Sequence, residues 1–260
     1  MIRSLLLACA AIVAAPLGAQ SFDGVVEAQL RPGWRLADGS HMAALQLNLA
    51  PGWKTYWRAP GDAGIPPLFD WRGGAAVSVL WPAPEVFHQS GMRSVGYDDT
   101  VVLPLRVVPQ RAGDSVALSG TIDIGICEEV CIPYRVSVAA ELPAGATKPD
   151  SVIVAALADL PYSADEAGVR AVTCSVALDA QGLRLRTEIA MPKQPGAETV
   201  IETADPEIWV AEPRSWWEGG RLISETRLTH MAGGALALDR SRLTITVLGR
   251  DRAVEIRGCD

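Results

Sequence analysis

The sequence predicts an all-β protein made of two β-sandwich domains joined by a short helical linker. Residues 25–30, 43–49 and 100–108 alternate apolar and polar side chains, as strands with one buried face do. Similar short segments recur from residue 171 onward, between turn-rich breaks. The sequence lacks the regular helix–strand alternation of parallel-sheet proteins, and many short strands with frequent turns are typical of β-sandwiches.

The domain boundaries follow from shifts in composition along the chain. We expect a signal peptide at residues 1–19, a first β-sandwich domain at 20–143, a linker at 144–170 and a second β-sandwich domain at 171–260. Within the linker, residues 151–160 predict a short helix that is capped by Ser151 and stopped by Pro161.

The first nineteen residues have the features of an export signal. Arg3 supplies a positive start, and residues 5–15 form a short apolar core. The small residues Gly18 and Ala19 follow, so we expect cleavage near Ala19 and an exported protein in an oxidising compartment. No later stretch reaches the roughly 20 apolar residues that a spanning helix needs, so we expect no membrane span.

Composition and charge argue against several classes of protein. Hydrophobic residues make up 49% of the chain and charged residues 20%, which are values of a globular rather than a disordered protein. The formal net charge is −7 and no basic patch stands out. We therefore expect no nucleic-acid partner.

Two cysteines separated by three residues stand between two alternating segments. Residues 115–124 and 134–138 flank Cys127 and Cys131, and their period of two predicts antiparallel strands joined by a short connection. Both cysteines would then lie at one end of a hairpin, close enough to bond. Three interpretations remain open at this point: a structural disulfide, a Cu(I) site of two thiolates, and a redox-active dithiol.

The charges around the pair indicate which redox role it would suit. Glu128 and Glu129 lie between the sulfurs, and Arg135 is the nearest cation in the sequence. Neighbouring carboxylates disfavour a thiolate and so raise the pKa of a thiol. A dithiol whose thiolate is not specially stabilised is a weak oxidant. A redox-active pair here would therefore donate or relay electrons rather than install disulfides.

The remaining cysteines of the mature chain are Cys174 and Cys259, since Cys9 lies in the export signal. We expect a structural disulfide between them, the alternative being two free thiols. Such a bond would close nearly the whole C-terminal half and contribute about 4–5 kcal/mol on the chain-entropy model. The short loop between Cys127 and Cys131 would contribute only roughly 2 kcal/mol on the same model.

Two segments upstream of the cysteine pair are candidates for surrounding it. Residues 51–67 are rich in aromatic residues, glycine and proline; their rings either fill the core or form an aromatic wall around the cysteines. Residues 85–100 predict a long loop containing Phe87, His88 and Met92. His88 and Met92 are candidate metal ligands, although a His and a Met without ligand spacing are more often packing residues.

A set of short motifs lies between residues 51 and 133: PGWKTYWR at 51–58, PGD at 60–62, DW at 70–71, WPAP at 81–84, GY at 96–97, VLP at 102–104 and CEEVCIP at 127–133. Together they resemble the periplasmic N-terminal domain of the DsbD family of thiol:disulfide interchange proteins. The chain is more similar still to the DsbD-like proteins that include the ScsB N-terminal region, which carry a second β domain.

This resemblance implies immunoglobulin-like folds and a redox relay. In the family, a membrane electron-transfer protein with a thioredoxin-like domain reduces the cysteine pair, which then reduces periplasmic thioredoxin-fold clients. By position, Cys131 would form the mixed disulfides and Cys127 would resolve them. Phe87 and the adjacent His88 would belong to a cap loop that shields the pair. The spacing of three residues departs from the five of the best-studied DsbD domains. The resemblance implies neither a cofactor nor a metal.

Two other classes of function remain as alternatives. A copper-binding or copper-stress protein would use the same two sulfurs, because Sco-type copper chaperones also carry two cysteines three residues apart followed closely by proline. Those proteins have a thioredoxin-like fold, which the strand-only pattern of this chain argues against. A non-catalytic binding module would instead keep both disulfides as structural bonds.

Overall fold

A computed structural model of the chain describes residues 24–74, 76–89, 91–179, 182–233 and 236–259. Over this range the fold is all-β and immunoglobulin-like, with mostly antiparallel sheets and one α-helix, which confirms the predicted fold class. The expected signal peptide lies outside the described residues. Within them, no helix has the length and apolar character needed to cross a membrane.

The strands are numbered in chain order. They are β1 Val26–Arg35, β2 His41–Leu49, β3 Lys54–Tyr56, β4 Leu68–Arg72, β5 Ala76–Val79, β6 Glu85–Gln89, β7 Met92–Asp98, β8 Thr100–Val108, β9 Val116–Cys127, β10 Cys131–Leu142, β11 Tyr162–Ser163, β12 Ala171–Asp179, β13 Gly182–Ala190, β14 Glu198–Glu202, β15 Ile208–Val210, β16 Arg214–Glu218, β17 Arg221–His230, β18 Thr244–Leu248 and β19 Ala253–Arg257. The helix α1 spans Ser151–Ala158, and a 3-10 turn spans Arg240–Arg242.

Strands β1 to β10 form the first pair of sheets. One sheet has the order β1-β2-β8-β5, and the other has the order β10-β9-β3-β7-β6, with β4 also paired to β9. Side chains from both sheets fill the space between them, and Leu45, Leu105 and Ile122 are fully buried there. On β9, Ile122, Ile124 and Ile126 all point into this core, so the residues between them point outward.

Strands β11 to β19 form the second pair of sheets. Their orders are β11-β19-β18-β14 and β12-β13-β17-β15, with β16 also paired to β17. A second core lies between them, with Leu185, Ile189, Leu222 and Val254 fully buried. Each pair of sheets therefore has its own apolar core, as two stacked sandwiches require.

The helix α1 connects the two pairs of sheets. The sequence predicted Ser151 as its N-cap, but the N-cap is Asp150. The Asp150 carboxylate accepts hydrogen bonds from the backbone N–H groups of Val152 and Ile153. Arg31 of β1 also donates to this carboxylate at 2.7 Å. The fully buried side chain of Ile153 packs against β2, so the helix is attached to the first sandwich.

The prediction of a long loop at residues 85–100 is wrong, because this segment contains β6 and β7. Strands β6 and β7 form an antiparallel hairpin in which Phe87 lies opposite Ser94 and Gln89 lies opposite Met92. Gly91 takes a positive φ of 77° in the turn, a conformation that glycine adopts without strain. The strand β6 is partly exposed and carries several polar side chains, so alternation gave little signal; its pairing depends on β7, whose residues 93–97 are buried.

Charged side chains join the two sandwiches. The Arg58 guanidinium lies 2.9 Å from a Glu202 oxygen and 2.8 Å from a Glu255 oxygen. Burial opposes the charge on Arg58, but the two carboxylates outweigh this effect and raise its pKa. Arg93 is only 5% exposed and pairs with Glu198 of β14 at 2.6 Å. Between these ion pairs, three residues of the second sandwich pack against the first core: Val200, Leu248 and Ala253.

Candidate redox site

The cysteine pair lies at the end of the longest hairpin, as the alternating segments predicted. Strands β9 and β10 pair in continuous register, and Cys127 lies directly opposite Cys131 with 4.1 Å between their Cα atoms. Directly opposed residues of an antiparallel pair project from the same face of the sheet. The two sulfurs are bonded to each other in the structure.

The two cysteine residues differ in their exposure to solvent. Because Ile124 and Ile126 point into the core, Cys127 projects from the outer face of the sheet. Cys127 is nevertheless only 3% exposed, whereas Cys131 is an exposed residue. A partner approaching this face would therefore meet Cys131 first.

A tyrosine that the sequence analysis did not single out reaches the exposed cysteine. Tyr56 of β3 is only 3% exposed. Its hydroxyl donates a hydrogen bond to Cys131 Sγ, with 2.9 Å between the oxygen and the sulfur. A second acceptor, the carbonyl oxygen of Ala63, lies farther away at 3.4 Å. Burial raises the pKa of Tyr56, so the hydroxyl stays protonated at neutral pH.

Gly125 creates the space that Tyr56 occupies. A Cβ atom built on Gly125 would lie 2.6 Å from Cδ2 of Tyr56 and 2.6 Å from Cβ of Ile65, both far too close. The ring therefore lies against bare backbone of β9, two residues before Cys127, and its hydroxyl extends to the far sulfur. The available sequence signal was the glycine inside an otherwise regular strand, which often marks the close approach of another group.

Lys54 is a second residue that the sequence analysis missed. It lies opposite Cys127 in the β3–β9 register, so its side chain leaves the same face of the sheet as the disulfide. Its Nζ lies 5.1 Å from the centroid of the Phe87 ring and donates a hydrogen bond to Gln89. Gln89 in turn donates to the carbonyl oxygen of Glu128, at 2.9 Å. This chain of contacts connects β6 to the turn between the two cysteines.

The two predicted shielding residues lie on opposite faces of the sheet. Phe87 faces the same side as Lys54 and the cysteines, with β3 and β7 between β6 and β9 in the strand order. His88, the next residue, points the other way, and its Nε2 lies 3.2 Å from a Glu198 oxygen of β14. His88 therefore belongs to the junction between the sandwiches, because successive side chains of a strand alternate between faces.

The charges nearest the sulfurs in sequence are not all directed toward them. Glu128 and Glu129 are exposed in the turn, while Arg135 forms an ion pair with Asp123 across β9 and β10. This pairing lowers the pKa of Asp123, chiefly through the hydrogen bond from Arg135. Arg135 is thus held by its own partner, and Lys54 is the cation placed opposite the pair.

The hairpin, the site and the surrounding strands fall within a single family match. The model described as "Thiol:disulfide interchange protein DsbD, N-terminal" matches residues 23–151. The chain contains a DsbD-like N-terminal domain. The family is one of thiol–disulfide interchange proteins, and the match covers β1 to β10, both site cysteines and the start of α1.

Solved structures extend the fold comparison beyond the DsbD-like domain. The crystal structure of the N-terminal periplasmic domain of ScsB from Proteus mirabilis aligns over 89% of this chain and 90% of its own, with a TM-score of 0.66 and 22% sequence identity. At this identity the likeness shows that the two proteins share a fold, including the second sandwich. No curated protein sequence matches the chain.

Few candidate metal ligands lie close to the cysteine pair among the described residues. Among the described residues, no group of three or more His, Cys, Asp or Glu side chains is arranged to hold a metal ion. His88 is directed toward Glu198, and Met92 is 58% exposed at the turn of the β6–β7 hairpin. The copper alternative is therefore left with the two sulfurs as its ligands.

The second disulfide lies outside the DsbD-like domain. Cys174 of β12 is bonded to Cys259, 85 residues later in the chain, and Cys174 is 6% exposed. Arg240 holds both ends, since its guanidinium donates to the Cys174 carbonyl at 2.9 Å and its own carbonyl accepts from the Cys259 N–H at 3.2 Å. The bond thus fixes β12 to the segment that follows β19.

Proposed function

We propose that this chain is a periplasmic thiol–disulfide interchange protein that relays electrons through the Cys127/Cys131 pair. The observation that carries the proposal is the unequal exposure of the two bonded cysteines at one end of a hairpin, with the residue Cys131 exposed and Cys127 buried. Disulfide exchange needs one sulfur that a partner can reach and a second that can reach the first. The family match over the same residues supports this assignment.

The pair is first reduced by a donor, for which we propose a membrane electron-transfer protein or its thioredoxin-like domain. A donor thiolate attacks Cys131 Sγ, a donor–Cys131 bond forms, and Cys127 leaves as a thiolate that takes up a proton. The second donor thiol loses its proton and attacks the first donor sulfur, which releases Cys131 as a thiolate. Two electrons have then passed to the pair, and the donor is left as a disulfide.

The pair is then oxidised by a client, for which we propose a periplasmic thioredoxin-fold protein carrying a disulfide. The Cys131 thiolate attacks one client sulfur, and the other client sulfur leaves as a thiolate. Cys127 loses its proton and attacks Cys131 Sγ, which restores the bond between the two cysteines and releases the reduced client. The reaction needs two sulfurs and proton exchange with solvent, so the proposal includes no cofactor.

The other parts of the chain have supporting roles in this proposal. Residues 1–19 are removed near Ala19 on export, residues 20–143 form the redox domain, residues 144–170 the linker, and residues 171–260 a second domain stabilised by Cys174–Cys259. Phe87 shields the reduced pair from stray oxidants. His88, which contacts Glu198 instead, is not part of the shield.

A redox titration of the full chain tests the proposal. The protein is equilibrated in glutathione or dithiothreitol buffers of stepped potential, its free thiols are alkylated, and each cysteine is read by mass spectrometry. We expect Cys127–Cys131 to titrate at a moderately reducing potential while Cys174–Cys259 stays oxidised and acts as an internal control. If both bonds resist reduction alike, the pair is structural and the chain is a binding module. A strongly oxidising potential would exclude electron donation to clients.

Variants of the two sulfurs test the assigned roles. In the relay, Cys127→Ala leaves Cys131 able to attack a client but removes the thiol that resolves the mixed disulfide. We therefore expect this variant to form a stable mixed disulfide with a disulfide-bearing thioredoxin-fold protein. Cys131→Ala is the matched control and should form little, because the remaining sulfur is buried. Equal trapping by both variants would contradict the assignment.

A further inference from the structure

The Tyr56 hydroxyl has two acceptors, and the sulfur is the closer one. The oxygen lies 2.9 Å from Cys131 Sγ and 3.4 Å from the carbonyl oxygen of Ala63. A hydroxyl has a single hydrogen to donate, and a disulfide sulfur is a weak acceptor for it. The donor is therefore directed at a group that accepts weakly in the oxidised protein.

The same sulfur becomes a strong acceptor once the pair is reduced. A thiolate carries a full negative charge, and hydrogen bonds to charged groups are roughly twice as strong as bonds between neutral ones. A donor that is already in place stabilises such a charge without further reorganisation. The hydroxyl is suited to this role because the ring lies against the backbone of Gly125 and Tyr56 is almost fully buried.

We propose that the Tyr56 hydroxyl is a catalytic hydrogen-bond donor that stabilises Cys131 as a thiolate. The inference rests on the proposed relay and adds a residue to it. In the donor half-reaction, Tyr56 stabilises Cys131 when it leaves the donor mixed disulfide. In the client half-reaction, it increases the fraction of Cys131 that is thiolate before attack. Tyr56 keeps its own proton throughout, so the balance of electrons and protons given above is unchanged.

This role offsets the effect of the neighbouring carboxylates. Glu128 and Glu129 disfavour a thiolate on the neighbouring Cys131, although both carboxylates are exposed and partly screened by solvent. Tyr56 contacts the sulfur directly, and Lys54 lies opposite Cys127 on the same face. The chain therefore supplies part of the activation of Cys131 itself, before any partner has docked.

The test measures the thiol pKa and the reactivity of Cys131 in the mature chain. In the mature chain without residues 1–19, and with Cys174 bonded to Cys259, Cys127→Ala leaves Cys131 as the free thiol, which reacts with bis(2-hydroxyethyl) disulfide, a small neutral probe. We expect Tyr56→Phe to raise the pKa of Cys131 by about one to two units, because a hydrogen bond to the charged form is lost. The phenyl ring keeps the packing against Gly125, so the fold is preserved.

The dependence of the rate on pH separates this role from simple packing. For a rise of one unit, the thiolate fraction near pH 7 falls about tenfold, while each thiolate becomes about threefold more nucleophilic. The variant should thus react about threefold more slowly near pH 7 and about threefold faster above both pKa values. Profiles that cross in this way support the proposal. An unchanged pKa, or an equal fall in rate at every pH, would overturn it.

Two further variants complete the design. Tyr97→Phe removes a buried hydroxyl that donates to the Pro82 carbonyl at 2.9 Å, away from the cysteines, and should leave the profile unchanged. Gly125→Ala keeps the Tyr56 hydroxyl but places a methyl group where the ring lies, so it should raise the Cys131 pKa as Tyr56→Phe does. If Cys127–Cys131 cannot be reduced in the native chain, the relay itself fails. If it is reduced but Tyr56→Phe has no effect, only this inference fails.

Discussion

The two disulfides of this chain have the same chemistry in opposite settings. Cys127 and Cys131 are four positions apart at the end of a hairpin, and one of the two residues is exposed. Cys174 and Cys259 are 85 positions apart, and their bond joins a strand to the segment after the final strand of the second sandwich. Sequence separation sets how strongly a bond constrains the unfolded chain, and exposure sets how readily a thiolate attacks it. This difference fits the exchange role proposed for the first bond and a stabilising role for the second.

The largest expected effect comes from removing the second bond. Replacing Cys174 and Cys259 together by Ser should lower the free energy of unfolding by about 4.5 kcal/mol, since the open chain gains the entropy of a long loop. Replacing Cys127 and Cys131 together should lower it by about 2 kcal/mol or less. Urea denaturation of both variants measures the difference. Equal losses would mean that sequence separation does not distinguish the two bonds.

The junction between the sandwiches should respond next. Arg58→Met leaves Glu202 and Glu255 close together without their cation, so we expect a loss of about 2 kcal/mol in unfolding free energy. Arg72→Met is the matched control, because Arg72 pairs with Asp70 on the exposed surface. This substitution should lower the unfolding free energy by no more than about 1 kcal/mol. If the two variants are equally stable, the Arg58 contacts do not hold the sandwiches together.

A smaller effect is expected at the linker helix. Asp150→Ala removes the N-cap and the partner of Arg31, at a cost of about 1 kcal/mol. Burial opposes ionisation of Asp150, but hydrogen bonds from Arg31 and from the backbone N–H groups of Val152 and Ile153 outweigh it and lower the pKa of Asp150. The stabilisation is therefore present above the unfolded-state pKa of about 4 and is lost as the pH falls through the lower folded-state value.

Unfolding free energies measured from neutral to strongly acidic pH check this sign. The difference in unfolding free energy between the native chain and the Asp150→Ala variant should become smaller as the Asp150 carboxyl becomes protonated. A gap that stays constant with pH would show that ionised Asp150 contributes nothing through its charge. The redox behaviour of both disulfides should be unaffected, since α1 contacts neither.

The smallest expected effect concerns Phe87, which we propose shields the Cys127/Cys131 pair. It should appear at this disulfide and not at Cys174–Cys259. Phe87→Ala should increase the rate at which a small disulfide reoxidises the reduced Cys127/Cys131 pair by a few-fold, because thiol reactivity depends on access. Met92→Ala changes an exposed side chain of the same hairpin and is the control. Thiol alkylation followed over time measures both rates. An unchanged rate in Phe87→Ala would remove the shielding role.

The cysteine hairpin could be predicted because its signal is local. The alternation on either side of Cys127 and Cys131 decides both the strands and which residues face each other, and a hairpin needs little beyond its own sequence. Most strands after residue 171 were predicted for the same reason, whereas β11, which lies in the predicted linker, and β16 were missed. The β6–β7 hairpin was missed because β6 shows weak alternation and obtains its order from β7 and from the second sandwich.

The residues around the sulfurs could not be predicted in the same way. Tyr56 meets Cys131 only because β3 pairs with β9, and the two residues are 75 positions apart. The placement of Lys54 opposite Cys127 depends on the same non-local register. Side-chain alternation assigns a residue to a face of a strand, but the strand order of the sheet decides which faces become neighbours.

The attachment of the β6–β7 hairpin limits how Phe87 can move. One face of the hairpin carries Phe87, whose ring lies beside Lys54, and the other face is held to β14 through Arg93 and His88. A hairpin fixed in this way does not swing open like an unpaired loop. Cys131 is already exposed, so we expect Phe87 to affect access chiefly to the buried Cys127, by rotation of its side chain about χ1 on a fixed backbone. Because Phe87 is half-buried and its strand stays in place, we expect this rotation to be faster than disulfide exchange, so that it would not limit the rate of electron transfer.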